Sequence, residues 1–361
     1  MIIGVGMFAI PFSFVQSGFL PGVAGLVILS SVIMALHLLY GEIVLATPEF
    51  HRMPGYIRKY LGPGVARVSW ASTLFGTVGT LLAYLVVGSL FLQTIVARTV
   101  AEAHLYFFAI GLVCVVGLIT FFPLRKGAAI NGVLTIFEIA FIAGLSLLLL
   151  PKVSLQNFFI SAPRDLFLPY GVLLFALSGI SVIPDLVTVL GRSKRRVRIA
   201  IVVGSLIPAA LYLLFAFAVV GVSGEQTSVE AIAGLQQALG GDIAFFASAA
   251  GFLAILTSFV ALSANFQALL SLDLAMPRRL AWLAASAIPF ALYLAGFQNF
   301  IAIISVVGVV AFGVDAVLFL LMGKKVRQQQ GNHSRIMATV SYIILAVIIA
   351  GVSAQFLRAI V

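Results

Sequence analysis

The 361-residue chain is 62% hydrophobic and 9% charged, with a mean hydropathy of +1.20. Soluble domains carry about 25% charged residues, so this composition excludes one and specifies a polytopic membrane protein. The formal net charge of +10 would suit a nucleic acid, but the basic residues fall in short connections between apolar runs, where they orient a membrane protein and imply no nucleic-acid partner.

Eleven apolar runs are expected to span the bilayer, at residues 2–17, 22–46, 68–97, 104–124, 130–150, 166–190, 198–221, 243–268, 279–296, 300–322 and 336–357. Most reach the roughly 20 residues needed to cross about 30 Å of hydrocarbon. Span one is short, with neither a basic leader nor a small-residue cleavage site. The expectation is that Met1 is not the natural start and that a preceding half-helix is missing. Within span one lies Gly4-Val5-Gly6-Met7-Phe8-Ala9-Ile10-Pro11, a poor continuous helix. Gly costs about 1 kcal/mol and Pro about 3 kcal/mol relative to Ala in a helix interior, and Pro11 leaves the Met7 carbonyl without its usual donor. In lipid such backbone survives only where it is buried in protein or lines a wet cavity. A helix broken there offers amide donors on one side and carbonyl acceptors on the other, which suits a zwitterion and a cation.

Span two carries His37 and Glu42, expected to form structural pairs. The connection 48–66 holds basic residues with Tyr56, Tyr60 and Leu61 and is expected to lie along the interface. Span three places Tyr84 at mid-depth, span four carries the lone Cys114 as a packing residue, and span five carries Glu138. One cysteine excludes an internal disulfide or a cysteine metal cluster. An ionisable residue at mid-helix costs about 2.5–3.5 kcal/mol on insertion scales, so it is a functional candidate by default. Glu138 is therefore the candidate proton carrier.

Span six repeats the first break. Gly179-Ile180-Ser181-Val182-Ile183-Pro184 shares G-x-x-x-I-P with Gly6 to Pro11. Two interrupted spans at matching places in two halves point to a transporter binding site. Asp185 follows directly and is expected to tie span six to the next loop or to cap its lower half. Residues 226–240 show helical spacing, Thr257-Ser258 sits midway along span eight, and Asp315 in span ten is expected to gate an access path.

All but four of the 21 Lys and Arg residues, the exceptions being Arg98, Lys152, Arg164 and Arg358, fall on alternate connections. The positive-inside rule puts those connections in the cytoplasm. Spans one to five then run opposite to spans six to ten. The expected fold is an all-α membrane domain built as a five-plus-five inverted repeat with broken helices one and six, plus an eleventh helix. It forms a single domain over 1–361, with repeat one at about 1–150, repeat two at about 166–322 and the extra helix at about 336–357.

The stretches GVGMFAIPFSFVQSGF, LLAYLVVGS, LFALSGISVIPDLV with GRSKRRVRIAIVVG, and ILTSFVALSANFQALLSLD resemble the amino acid/auxin permease family, near the bacterial aromatic and hydroxy amino acid permeases. That family lies in the amino acid–polyamine–organocation superfamily, and the resemblance implies the leucine-transporter-type fold. It implies that the amides around Val5, Gly6 and Met7 hold a substrate carboxylate. The carbonyls of Ala176, Leu177 and Ser178, before Gly179, would accept from its ammonium. Tyr84 would close over the carboxylate, and Phe8, Phe175 and Phe259 are candidates to line the side-chain pocket. In sodium-coupled relatives, hydroxyls at the places of Thr257 and Ser258 join a span-one carbonyl, here that of Ile3, around a cation. The half-helix before Gly4 that completes the inner gate and ion site in the family is absent here.

The resulting expectation is a secondary active importer of a neutral, apolar or aromatic amino acid in a prokaryotic inner membrane. Coupling is to protons, with sodium, an amino-acid sensor or a channel as alternatives. No cofactor is expected beyond a possible coupling Na+, and the partners are an amino acid and lipid, in a monomer or weak homo-oligomer. No acid beside the breaks selects a cationic side chain and no arginine an anionic one. An intramembrane enzyme is excluded because His37, His51, His104 and His333 are scattered and no nucleophile or metal motif occurs.

Overall fold

A computed structural model describes residues 3–96, 104–122, 127–159, 164–239, 241–330 and 335–360. Arg98, Arg125, Lys126 and His333 lie outside the described residues, as do the side chains of Arg335 and Arg358. Among the described residues every regular element is a helix.

Among the described residues seven helices are long and apolar enough to cross a membrane, including Phe19–Ala46, Pro63–Val96 and Lys194–Gln226. Shorter apolar helices, Val5–Ser17, Leu105–Phe121 and Ser341–Gln355, occupy spans one, four and eleven. Span five is the helix Gly127–Leu149 and span nine is Arg278–Leu294. Span ten is interrupted by a π-helical segment, Gly308–Phe312, between Phe300–Val307 and Gly313–Gln329.

The spans pack as two groups. Spans one, two, six and seven contact one another, and span three lies along spans four, eight and nine. Span five sits against seven and eight, and span ten touches two, three and six, so these two join the groups.

Hydrogen bonds at the helix ends gather the connections. The Arg192 guanidinium donates to the carbonyls of Val44, Leu45 and Thr47 at 3.0, 2.9 and 2.7 Å, covering acceptors that end span two. Arg278 does the same for Phe121 at 2.9 Å, and Arg52 pairs with Asp273 at 3.7 Å. Four connections containing basic residues therefore share one end of the molecule. At the other end the Ser154 amide donates to the Gly221 carbonyl and the Arg164 amide to the Gln16 carbonyl, both at 2.8 Å.

The connection at 48–66 contains the helix Met53–Leu61, which buries Met53, Pro54, Tyr56 and Ile57 and carries Arg58 and Lys59 in its last turn. Residues 226–240 include the helix Ile232–Leu239. His37 Nδ1 meets the Ser205 hydroxyl at 3.3 Å, pairing spans two and seven. Glu42 is exposed and has no ion-pair or hydrogen-bond partner among the described residues. The expected pair fails because Glu42 points off the packed face of span two.

Candidate functional site

Both breaks have the same local build. Gly4 is extended (φ −173°, ψ −161°), Val5–Ala9 forms a 3-10 turn, and an α-helix restarts at Ile10 with Pro11 in its first turn. In span six the helix Leu168–Ala176 stops, Gly179 (φ −150°, ψ 14°) opens a 3-10 turn at Ile180–Val182, and Ile183–Val189 restarts with Pro184 in its first turn. Proline suits a restart, since its fixed φ is helical and no donor is needed in a first turn.

The two breaks touch. A Cβ built on Gly6 would stand 2.8 Å from Phe175 Cδ1 and 2.9 Å from Ala176 Cα, so only a hydrogen fits there. A Cβ on Gly4 would lie 2.6 Å from the Tyr84 hydroxyl, which places that phenol from span three at the first break. Phe259 holds the Tyr84 ring in a stack, centroids 6.1 Å apart and planes at 15°.

A cavity of about 410 Å³ runs from the breaks toward the end that carries the basic connections. Val5, Gly6, Tyr84, Phe175, Ala176 and Ser178 line its deep part, with Ile3, Glu138, Thr257 and Ser258 beside them. Thr73, Thr77 and Thr80 line its wall, and Phe50, Arg52 and Pro54 stand at its mouth. Met7, Phe8, Leu177, Gly179 and Phe259 do not line it. Phe8 is 1% exposed and sits edge-on to Phe91 at 5.0 Å and Phe215 at 6.2 Å. Phe8 lies within the 3-10 turn of the break itself, and its ring is taken up by Phe91 of span three and Phe215 of span seven instead of walling the 410 Å³ cavity.

The free backbone groups are fewer than expected. The Met7 amide donates to the Gly4 carbonyl at 3.3 Å, because a 3-10 turn closes there, and it is not free for a ligand. The Gly6 amide makes no backbone bond among the described residues. In span six the Tyr212 hydroxyl donates to the Ala176 carbonyl at 3.0 Å, using one of its two lone pairs. Ser178 lines the cavity, and its carbonyl receives no backbone hydrogen bond among the described residues.

Glu138 is 5% exposed, and its Oε1 accepts from the Ser258 hydroxyl at 3.0 Å. It also shares a small cleft with Ile3, Gly4 and Phe8. Thr257 donates to its own helix at the Ala254 carbonyl, 2.9 Å away, which leaves its lone pairs toward the cavity. The two neighbouring hydroxyls thus have different hydrogen-bond partners, and both residues line the cavity. Asp185 occupies the first turn of the restarted half of span six without a capping hydrogen bond, and both Asp185 and Asp315 line the cavity below the breaks. Among the described residues no group of three or more His, Cys, Asp or Glu could hold a metal ion.

The parts played by Tyr212, Phe91 and Phe215, and the Ser258–Glu138 bond, are not legible in the sequence. The signal available for the last was only that two polar residues occupied the middles of apolar spans.

A family model described as the tryptophan/tyrosine permease family matches residues 1–357. Among solved structures, the crystal structure of MhsT in complex with L-phenylalanine is similar, with a TM-score of 0.65 and 12% sequence identity over 99% of this chain and 96% of that one. No curated protein sequence matches.

Proposed function

The chain belongs to the tryptophan/tyrosine permease family, with the leucine-transporter-type fold; from that premise we propose that this multi-pass amino-acid transporter imports an aromatic amino acid together with a proton. The observation that carries the reading is the contact of Gly6 with Ala176, which sets two broken helices face to face on one cavity. A zwitterion needs donors for its carboxylate and acceptors for its ammonium within one small volume. The Gly6 amide and the Tyr84 hydroxyl supply the donors, at the start of a helical turn whose dipole favours an anion. The Ser178 carbonyl and the second lone pair of Ala176 supply acceptors, at the end of a half-helix whose dipole favours a cation. Phe175 gives the aromatic side chain an apolar surface. The family description names tryptophan and tyrosine, and MhsT was crystallised with phenylalanine; both support an aromatic substrate.

Glu138 carries the coupled proton in this account. It is buried, hydrogen-bonded to Ser258, and adjacent to Ile3 and Gly4 at the break. An unpaired charge in that position is expensive, so the carboxyl crosses with a proton on it. A sodium ion held by Ile3, Thr257 and Ser258 is the competing arrangement, and all three line the same cavity. With the basic connections in a prokaryotic cytoplasm by the positive-inside rule, the cavity is open inward. Spans one, two, six and seven then rock against three, four, eight and nine to alternate access.

The test is uptake of labelled tryptophan, tyrosine and phenylalanine into proteoliposomes under an imposed pH or sodium gradient. A pH gradient is expected to drive saturable accumulation without sodium, and Glu138→Gln to abolish accumulation while retaining exchange. Accumulation driven by sodium alone, or normal proton-driven uptake by Glu138→Gln, overturns the coupling.

A further inference from the structure

Below the breaks, the same cavity has a second polar cluster that the zwitterion site does not use. Ser72 of span three is buried, and its hydroxyl lies 2.9 Å from Asp315 Oδ1 and 3.2 Å from the Ala311 carbonyl. Ala311 belongs to the π-helical segment Gly308–Phe312, where the hydrogen-bond register shifts and the Ala311 carbonyl accepts from the Ser72 side chain; such segments are frequent at functional sites. Tyr40 of span two is 0% exposed, lines the cavity, and its hydroxyl has no hydrogen-bond partner among the described residues. Its ring is held by Phe319 at 4.6 Å and Tyr56 at 5.9 Å, with the phenol in the field of Asp185 and Asp315.

The hydrogen count of this cluster does not close. Ser72 has one hydrogen for two acceptors, Asp315 has no cation partner among the described residues, and Tyr40 has nothing to accept from. A primary ammonium brings three N–H donors and one positive charge. We propose that Asp315, Ser72, the Ala311 carbonyl and Tyr40 form a release-side site for the primary ammonium of the outgoing amino acid. Asp185, on the restarted half of span six, adds negative charge to the same wall, and Arg52, at the mouth and paired with Asp273, holds positive charge at the exit. The substrate ammonium passes from the Ser178 carbonyl to this cluster while the carboxylate leaves the Gly6 amide, so that release takes two short steps. The site rests on the transport reading above, but its ligand class is separable from it, since an amine lacking a carboxylate satisfies this cluster and only half of the zwitterion site.

The experiment measures binding of tryptamine and of tryptophan to the purified full chain by thermal shift and by direct equilibrium binding of each labelled compound. Wild type, Asp315→Asn, Ser72→Ala and Tyr84→Phe are compared at fixed pH without sodium. Tryptamine is expected to bind wild type and Tyr84→Phe alike and to lose about tenfold or more in affinity in Asp315→Asn, with a smaller loss in Ser72→Ala, whose apolar replacement guards against a folding defect in the first variant. Asp315→Asn is expected to keep tryptophan affinity at the breaks and to slow efflux. Tryptamine binding that is absent, equal in Asp315→Asn, or lost in Tyr84→Phe overturns the site. So does an Asp315→Asn variant whose only change is the pH profile of transport, which would make Asp315 a proton site. Failure of wild type to bind tryptophan while tryptamine still binds through Asp315 sinks the transport reading and leaves the ammonium site standing.

Discussion

At the residue scale, the account depends on single atoms. Gly6 has no room for a Cβ against Phe175 and Ala176, so Gly6→Val is expected to separate the breaks and to abolish amino-acid binding in a binding assay, with folding followed by its melting profile. Tyr84 stands at Gly4 and offers one hydroxyl to the substrate carboxylate. A hydrogen bond to a charged group is worth about 1.5–3 kcal/mol, so Tyr84→Phe should weaken affinity for tryptophan by about tenfold or more, measured by displacement of labelled substrate. Unchanged affinity would show that the phenol only packs. Glu138 stands out in the sequence because an ionisable group at mid-span is rare and costly, whereas Tyr84 is singled out only by the family resemblance. The employment of the Ala176 carbonyl by Tyr212, or of Ser258 by Glu138, was not visible. Each joins residues 36 and 120 positions apart, and their meeting depends on how helices are rotated about their axes. A nearly uniformly apolar span gives no periodic signal for that rotation.

At the element scale, glycine and proline punctuate the spans, which is why both breaks and both restarts could be read in advance. The 3-10 turns themselves could not be read; they use the Met7 amide internally and leave the Gly6 amide without a backbone acceptor among the described residues. The π-helical segment in span ten was equally hidden, since Gly308–Phe312 has an ordinary apolar sequence. Gly308 there lies so close to span six that a Cβ would stand 2.1 Å from the Gly171 carbonyl oxygen, which couples the bulge to the helix that breaks. The Arg192 guanidinium, on three carbonyls at the end of span two, ties that span to the loop after span six, so these elements move together. Arg192→Gln is expected to destabilise the protein by about 1–3 kcal/mol through carbonyls left without a donor, seen as a lower melting temperature. Arg192→Lys should recover only part of it, because an ammonium lacks the planar fork.

At the scale of the whole molecule, charge segregation and hydropathy sufficed to order eleven spans and to invert the second five against the first. The contacts of Arg52, Arg192 and Arg278 collect the basic connections at one end by an independent route. The grouping of spans one, two, six and seven against three, four, eight and nine came only from packing, as did the direction in which the cavity opens. With the cavity open toward the basic connections, and with Cys114, which is exposed instead of packed, replaced by Ser, a thiol-reactive probe should label Thr77→Cys from the basic-loop side, and bound tryptophan should slow that labelling. Protection at Thr77 but none at a cysteine placed in the lipid-facing surface, such as Leu118→Cys, is the expected pattern.

The central claim is that two broken helices meet to grip one zwitterion. A photoactivatable phenylalanine analogue, cross-linked to the reconstituted protein and mapped by mass spectrometry, tests it most directly. Label on peptides spanning residues 3–8 and 175–182, removed by excess phenylalanine, is the predicted result. Label confined to other spans, or label on these peptides that free phenylalanine fails to displace, would contradict it.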